Sequence, residues 1–365
     1  MAKMRALVTG GAGFSGRYVV EELVKSGRYD VVVGDLSLTP QPVRDHIRNM
    51  GATFVEMDLT KPETLGKALN EIDTVFHVAA VFDYSAPVDL LVKVNVNGTE
   101  NLIKESLNAG VKRMVVWSSL AAYGLPLQKI YKHPITEDQH PVTPGDPEIA
   151  KIKIPGNYDR SKRMQEEVVV RYIRDKGLRA TIIRPAPIYG PGNKYGVWQI
   201  IYLVAKGVAG VLPRCLNKKY MPMIHVRDLA RAAIYLSERE DTIGETYNVV
   251  DNSLTMFDTL LWIAYCTDHR PTITPIVPLW LVEHSGPFAK LLGKQVYMVA
   301  KLRKYKRPKI EMDTINYVYG NYWYSNAKLL ATGFRYLYPD RKLGLLETIN
   351  WYKENGWFTK EKWFD

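Results

Sequence analysis

The run Tyr158-Asp159-Arg160-Ser161-Lys162 sets a phenol and an ammonium four residues apart, which on a helix makes them neighbours on one face. A phenol with its ordinary pKa near ~10 is a poor base at neutral pH. An ammonium beside it favours the phenolate and lowers that pKa. Such a pair can take the proton of an alcohol, or return one to a ketone, while a hydride moves to or from a partner. A second hydroxyl, Ser119, stands just past the apolar run Met114–Trp117. It can bond the reacting oxygen and fix its distance from Tyr158. Ser118 competes for that role. The chain has 23 tyrosines, and a Tyr-Lys pair alone also fits a solvated helix face, so the chemistry depends on where the elements bring these groups.

A hydride partner is suggested at the other end of the chain. Gly10, Gly13 and Gly16 follow the apolar run Arg5–Val8 and open an amphipathic stretch through Phe14 and Ser15. After a strand and before a helix, the first glycine permits a tight turn and the second lets backbone approach a pyrophosphate. The third lets helix and strand pack closely, with the anion on the helix N-terminus. Asp35 arrives 19 residues after Gly16, at the end of the second apolar run. A carboxylate there accepts the hydrogen bonds of the adenosine ribose and repels a 2′-phosphate. Leu36, Ser37 and Leu38 follow, with no Arg among them, so NAD is expected rather than NADP. Asp58, before Leu59, either caps a helix at Leu59–Lys61 or faces the adenine amine.

The elements that must position these residues alternate along the first half of the chain. Strands are expected at Arg5–Val8, Val31–Gly34, Thr53–Glu56, Val75–Val78, Met114–Trp117 and Thr181–Ile183. Helices are expected at Phe14–Lys25, Pro42–Asn49, Pro62–Asn70, Val88–Asn108 and Asp159–Asp175. Continuous apolar strands separated by helices predict an α/β fold, a doubly wound parallel sheet covered on both faces. After Pro185 the regularity weakens, then Ile224–Leu236 and Thr246–Val250 return to it. This predicts a dinucleotide-binding domain from 1–185 plus 225–251, and a smaller, discontinuous C-terminal substrate lobe from 186–224 plus 252–365.

At 365 residues, with 46% hydrophobic and 24% charged residues, the chain can bury a large core, which excludes disorder and disulfide scaffolds. Two cysteines and no metal-like His/Cys spacing point to a reducing, cytoplasmic setting and no metal. Neither a signal peptide nor an 18-residue apolar run is visible. The net charge of +11 admits anionic partners, but no nucleic-acid module accompanies it.

Together these motifs resemble the extended short-chain dehydrogenase/reductase family, the NAD-dependent epimerases and dehydratases. The resemblance runs through Phe76-His77-Val78-Ala79-Ala80, Asn95-Val96-Asn97-Gly98-Thr99, Ser118-Ser119, the Tyr158–Lys162 run, Arg184-Pro185, Tyr189-Gly190-Pro191-Gly192 and His225-Val226-Arg227-Asp228. It implies an enzyme with Ser119, Tyr158 and Lys162 as its catalytic set. Ser119 is preferred to Ser118 because Tyr123 stands four residues on, as in the family's pattern. Lys162 is also implied to hold the nicotinamide ribose, with Ala79, Ala80 and Pro185 contacting cofactor. Asn95 is implied to be a helix-and-backbone anchor, and His77 is read as a buried strand residue. A homodimer through the helices of Asn95–Asn108 and Tyr158–Ile173 is implied as well.

Within that family, the tail from Tyr322 to Tyr352 resembles the 3β-hydroxysteroid dehydrogenase and dihydroflavonol reductase branch. Pro187 stands where sugar-nucleotide members carry an Asn for the diphosphate side. The expected substrate is therefore a bulky apolar alcohol or ketone, sterol-, steroid- or isoprenoid-like. The alternative is a nucleotide-sugar epimerase or dehydratase using Arg214, Lys218 and Lys219. A third reading, of another class, is a protein that binds NAD and turns nothing over. Residues 279–309 join an apolar stretch to eight Lys or Arg between Lys290 and Lys309 with no acid. Such a segment either packs in the lobe or rests on an anionic membrane surface.

Overall fold

The computed structural model of the chain describes residues 3–82, 86–124, 133–139, 156–207, 210–275, 277–284 and 322–358. Strands β1 (Met4–Thr9), β2 (Tyr29–Asp35), β3 (Thr53–Glu56), β4 (Thr74–His77), β5 (Arg113–Trp117), β6 (Ala180–Pro185) and β10 (Thr246–Val249) form one seven-stranded sheet in the order β10-β6-β5-β4-β1-β2-β3. All of its pairings are parallel, with Leu7 opposite Val32 on one side and Val75 on the other.

Alternation within the strands explains why both faces are covered. Ala6 and Val8 of β1 pack toward one apolar core, and Leu7 between them packs toward the other. The first core takes Tyr18, Val19 and Leu23 of α1 (Phe14–Ser26) and Leu229 and Ala233 of α8 (Val226–Ser237). The second takes Leu65 and Leu69 of α3 (Leu65–Leu69), Leu102 and Ile103 of α5 (Gly98–Asn108) and Val169 of α6 (Asn157–Lys176). Helix α2 (Gln41–Asn49) leads into β3. From β1 the chain winds outward to β3, then returns to β4 on the other side of β1. Open α/β sheets hold their ligands in the crevice at such a reversal.

Two expected helices are subdivided. Pro62–Thr64 forms a 3₁₀ turn before α3. The stretch expected as one helix over Val88–Asn108 is α4 (Val88–Leu91), a π-helical turn over Val92–Asn97, and α5. Such π turns are rare and cluster at functional sites.

Beyond β6, short parallel pairs replace the large sheet. β7 (Ile188–Tyr189) pairs with β9 (Ile224–His225), and β8 (Val211–Pro213) with β11 (Thr272–Thr274). A third core joins Trp198 and Ile201 of α7 (Val197–Ala205), Met256 and Ile263 of α9 (Met256–Cys266), and Leu345, Ile349 and Tyr352 near the chain end. Buried Arg341 opens the terminal helix, donating to Asp251 Oδ2 at 2.9 Å, to Thr259 Oγ1 at 3.0 Å and to the Met221 carbonyl at 3.1 Å. Of the segment 279–309, only α10 (Leu279–His284) is described, with Trp280 and Leu281 exposed; residues 285–309 lie outside the described residues. No helix among the described residues is long and apolar enough to cross a membrane.

Candidate active site

The glycine loop leaves no room for side chains. Gly10 sits at φ +65°, and a Cβ there would lie 2.9 Å from the Ala79 backbone; at Gly16 it would lie 2.2 Å from the Gly10 carbonyl oxygen. Gly13 precedes α1 in extended conformation with no side chain over the helix N-terminus. The first-turn N–H groups of Phe14 and Ser15 therefore face a cradle suited to a pyrophosphate. Asp35 is fixed beside it, accepting from Ala12 N–H at 3.0 Å and Leu36 N–H at 2.8 Å.

One cavity of about 1090 Å³ runs from this cradle across the sheet ends. Gly10, Gly13, Phe14, Ser15, Gly16, Asp35, Asp58, Leu59, Ala79, Ala80, Ser119, Tyr158, Lys162 and Pro185 all line it. The structure thus brings together every residue singled out from the sequence for cofactor and chemistry. The residues present fit NAD: a cradle that any Cβ would fill, a carboxylate at the second strand's end, and no guanidinium on the cavity wall among the described residues. The first guanidinium after Asp35 in the sequence, that of Arg44, is committed to the Thr39 carbonyl at 2.8 Å, to Glu56 at 2.9 Å and to the Ser37 carbonyl.

Asp58 requires a correction. Residues 59–61 form a turn, not a helix, and Asp58 Oδ1 accepts from the Thr60 N–H at 2.9 Å and its hydroxyl at 2.8 Å. Burial opposes ionisation, but these bonds and Lys61 and Lys93 hold the carboxyl below its ordinary range. Asp58 caps that turn, and its place on the cavity wall leaves the adenine role open.

The catalytic candidates converge from two elements. Ser119 ends the β5 connection in extended conformation, accepting from Ala121 N–H at 3.1 Å and hydrogen-bonding the Tyr158 hydroxyl. Ser118 is buried with its hydroxyl unpartnered, so the structure joins Ser119 to the phenol. Tyr158 and Lys162 lie on the buried face of α6. The expected lowering of the phenol's pKa is absent here: burial raises it, the Asp159 charge adds to the rise, and only the Ser119 hydrogen bond opposes. Lys162 lines the same cavity and makes its two bonds to groups other than the phenol, donating to the Trp117 carbonyl at 2.8 Å and Gln165 Oε1 at 2.7 Å. Burial lowers its ammonium to about 7, against the favourable charge of Glu166. The protein's own groups thus give α6 a protonated phenol and a lysine whose ammonium burial has lowered.

Several contributors carry no sequence signal of their own. Phe82 stands edge-on to Tyr158 with ring centroids 5.0 Å apart, and Tyr195 packs against Phe82 at 5.9 Å. The same cavity is lined by Leu90, Val94, Ile188, Ile200, Met221 and Met223, with Lys93 and Asn193 as polar members. Asn95, in the π turn, exchanges hydrogen bonds with both Val81 backbone groups at 2.8 and 3.1 Å and donates to Ser161 at 3.0 Å, which is the anchoring role expected. His77 is a buried strand residue. Tyr123 stands behind the site, its hydroxyl donating to Asn248 at 2.9 Å and accepting from Arg184 at 3.0 Å. Arg214 and Lys218 are exposed, Lys219 is buried, and none of the three lines the cavity. No group of His, Cys, Asp and Glu among the described residues could hold a metal.

A parallel sheet reversing beside a glycine cradle, with Ser, Tyr and Lys across the crevice, defines a dinucleotide-dependent enzyme acting on CH–OH groups. The chain belongs to the NAD dependent epimerase/dehydratase family, whose model matches residues 6–249, and so to the extended short-chain dehydrogenase/reductases. It is 26% identical over 351 residues to the uncharacterized protein y4nG of Sinorhizobium fredii, covering 96% of this chain and 79% of that one. It is 29% identical over 237 residues to 3beta-hydroxysteroid-dehydrogenase/decarboxylase isoform 2 of Arabidopsis thaliana, covering 62% of this chain but only 40% of the plant protein. It is 26% identical to UDP-glucose 4-epimerase of Vibrio cholerae over 302 residues, 79% of this chain and 82% of the epimerase. The crystal structure of gox2253 superposes with a TM-score of 0.71 at 25% identity, covering 96% of this chain and 98% of that one.

Proposed function

We propose that the protein oxidises a bulky apolar secondary alcohol, sterol-, steroid- or isoprenoid-like, or reduces the corresponding ketone. The observation that carries this reading is the wall beyond Tyr158, where Phe82, Leu90, Val94, Ile188, Ile200 and Met221 surround the space a substrate would fill. Pro187 offers no side-chain amide there. In this reading Gly10, Gly13, Gly16 and Asp35 would hold NAD, which would supply the hydride acceptor or donor. Tyr158 exchanges the proton with the substrate oxygen. Ser119, whose Oγ already accepts from Ala121, turns its own proton to that oxygen. Lys162 would hold the ribose, and its charge, with that of the oxidised nicotinamide, would favour the phenolate against the burial that raises its pKa. Residues 1–185 with 225–251 carry the cofactor, and the 186–224 segment brings Ile188, Ile200 and Met221 against Phe82, Leu90 and Val94 on the substrate side.

The test is spectrophotometric: purified protein with NAD⁺ against a panel of 3-hydroxysteroids and isoprenoid alcohols, and separately against UDP-glucose. Growth of the reduced-nicotinamide band with the apolar panel supports the reading. Epimerisation of UDP-glucose without turnover of that panel overturns it in favour of the second reading. That second reading draws support from the likeness to the Vibrio cholerae epimerase over 82% of its length. Two further proposals accompany this one: a homodimer through α5 and α6, and contact of the segment 279–309 with anionic lipid. Sedimentation equilibrium tests the first, and co-sedimentation with anionic liposomes at low and high salt the second.

A further inference from the structure

Lys162 is 2% exposed, and a lysine ammonium has three protons to place and nothing with which to accept. Two of its bonds go to the Trp117 carbonyl and to Gln165 Oε1. Because Lys162 can only donate, the Gln165 amide is oriented, and its Nε2 donates to Thr99 Oγ1 at 2.9 Å. The Thr99 hydroxyl donates to the Asn95 carbonyl at 2.7 Å, so its oxygen also accepts from His77 Nε2 at 2.8 Å. His77 Nδ1 is then the acceptor for the Thr9 hydroxyl at 2.9 Å, and Thr9 Oγ1 accepts the Ala79 N–H at 3.1 Å. Every group along this buried path has a partner of the right kind, and the path ends on Ala79, against which Gly10 of the cofactor cradle packs.

We propose that Gln165 is a positioning residue: its amide oxygen holds the Lys162 ammonium in the site and ties it, through Thr99 and His77, to the strand ends that carry the cofactor cradle. This rests on the reading of Lys162 given above. The other groups facing Lys162 are few. Glu166, next on α6, favours its charge; His77 on β4 is held neutral by burial; Tyr158 lies one turn earlier and is protonated; β5 contributes only the Trp117 carbonyl. With burial working against the charge, the Gln165 oxygen at 2.7 Å adds a neutral acceptor to the favourable charge of Glu166.

The experiment follows the Lys162 signal by NMR across pH in the full chain labelled at the lysine ε-carbon, with Lys162→Met identifying the resonance. Gln165→Glu places a full charge where the dipole stood and should raise the titration midpoint by ~1 unit or more; Gln165→Met removes the acceptor and should lower it. A substrate-turnover profile, where turnover is found, should show its matching limb displaced the same way. Midpoints unmoved in both variants, or unmoved in Gln165→Met alone, overturn the proposal. Should Gln165→Met fail to fold, Gln165→Ala, which also removes the acceptor, takes its place, because a charge at 165 would raise the midpoint whatever the amide does. The titration needs no substrate, so it can fail or succeed independently of the apolar-alcohol reading.

Discussion

Arg184 forks onto Glu166 with two hydrogen bonds of 2.9 Å, and both side chains are almost wholly buried. Arg184 comes from β6 and Glu166 from α6, four residues past Lys162, so the pair clamps the catalytic helix to the sheet. Arg184 also reaches the Tyr123 hydroxyl at 3.0 Å. Removing one member leaves the other charge buried and unpaired, which costs ~3–5 kcal/mol. Glu166→Ala should therefore lower the urea midpoint by that equivalent at unchanged slope. A loss below ~1 kcal/mol, the scale of a surface pair, would show the clamp to be unimportant.

Much of this arrangement is legible in the sequence because it rests on local chemistry. Glycines at 10, 13 and 16 before an acid at 35 leave few alternatives once a strand precedes and a helix follows, and Thr53–Glu56 falls as a strand where its β-branched run stands. What escapes sequence reading is set by distant partners. Gln165 looks like one more polar residue of α6 until Thr99 and Lys162 are seen on either side of it. Phe82 and Tyr195 meet only because β4 and the 188–196 segment end at the same crevice. Leu59–Lys61 has helical propensity, yet Asp58 bonds Thr60 two residues on and makes a turn. The lowered pKa expected for Tyr158 fails for a related reason: proximity to Lys162 is local, whereas burial is global.

The cradle predicts a cofactor preference. With the Asp35 carboxylate on the cavity wall and Arg44 committed to Glu56 and the Ser37 and Thr39 carbonyls, a 2′-phosphate would meet a negative charge with no guanidinium on the wall among the described residues. Fluorescence titration should show NADH binding at least ~10-fold tighter than NADPH, about the effect of one unfavourable charge contact of ~1.4 kcal/mol. Asp35→Ser should narrow the gap. Gly16→Ala should abolish binding of both, because its Cβ would lie 2.2 Å from the Gly10 oxygen. Equal affinities in the parent protein would refute the assignment of Asp35.

Replacing the phenol tests the chemistry without disturbing the cradle. Tyr158→Phe keeps the ring that packs 5.0 Å from Phe82 and removes only the hydroxyl that meets Ser119. kcat should fall at least ~10²-fold, the usual scale for a positioned proton-transfer group, with NADH affinity within ~3-fold of the parent. Most of the activity surviving in this variant would remove Tyr158 from the mechanism.

Two buried histidines predict how stability responds to acid. Burial lowers both His77 and His225 to about 3, so each stays neutral in the fold while the unfolded chain takes up a proton near 6.5. Their contribution is complete above that unfolded value and is lost as pH falls toward 3. Asp228 acts in the opposite sense. Burial raises its carboxyl to about 6 from 3.8, so the folded state protonates first and gains relative stability as pH falls through that window. Glu137, whose carboxyl burial also raises, acts in the same sense as Asp228, so the two histidines prevail chiefly between about pH 7 and 5, where the imidazoles of the unfolded chain take up their protons. Each such proton is worth ~1.4 kcal/mol per pH unit. Unfolding free energy from urea titrations should thus decline from pH 7 to pH 5, and His77→Gln should flatten the decline while costing stability at pH 7 through its broken bonds to Thr9 and Thr99. A parent protein whose stability is level or rises over that interval would mean that these histidines are charged, and the neutral path from Thr9 to Lys162 would go with them.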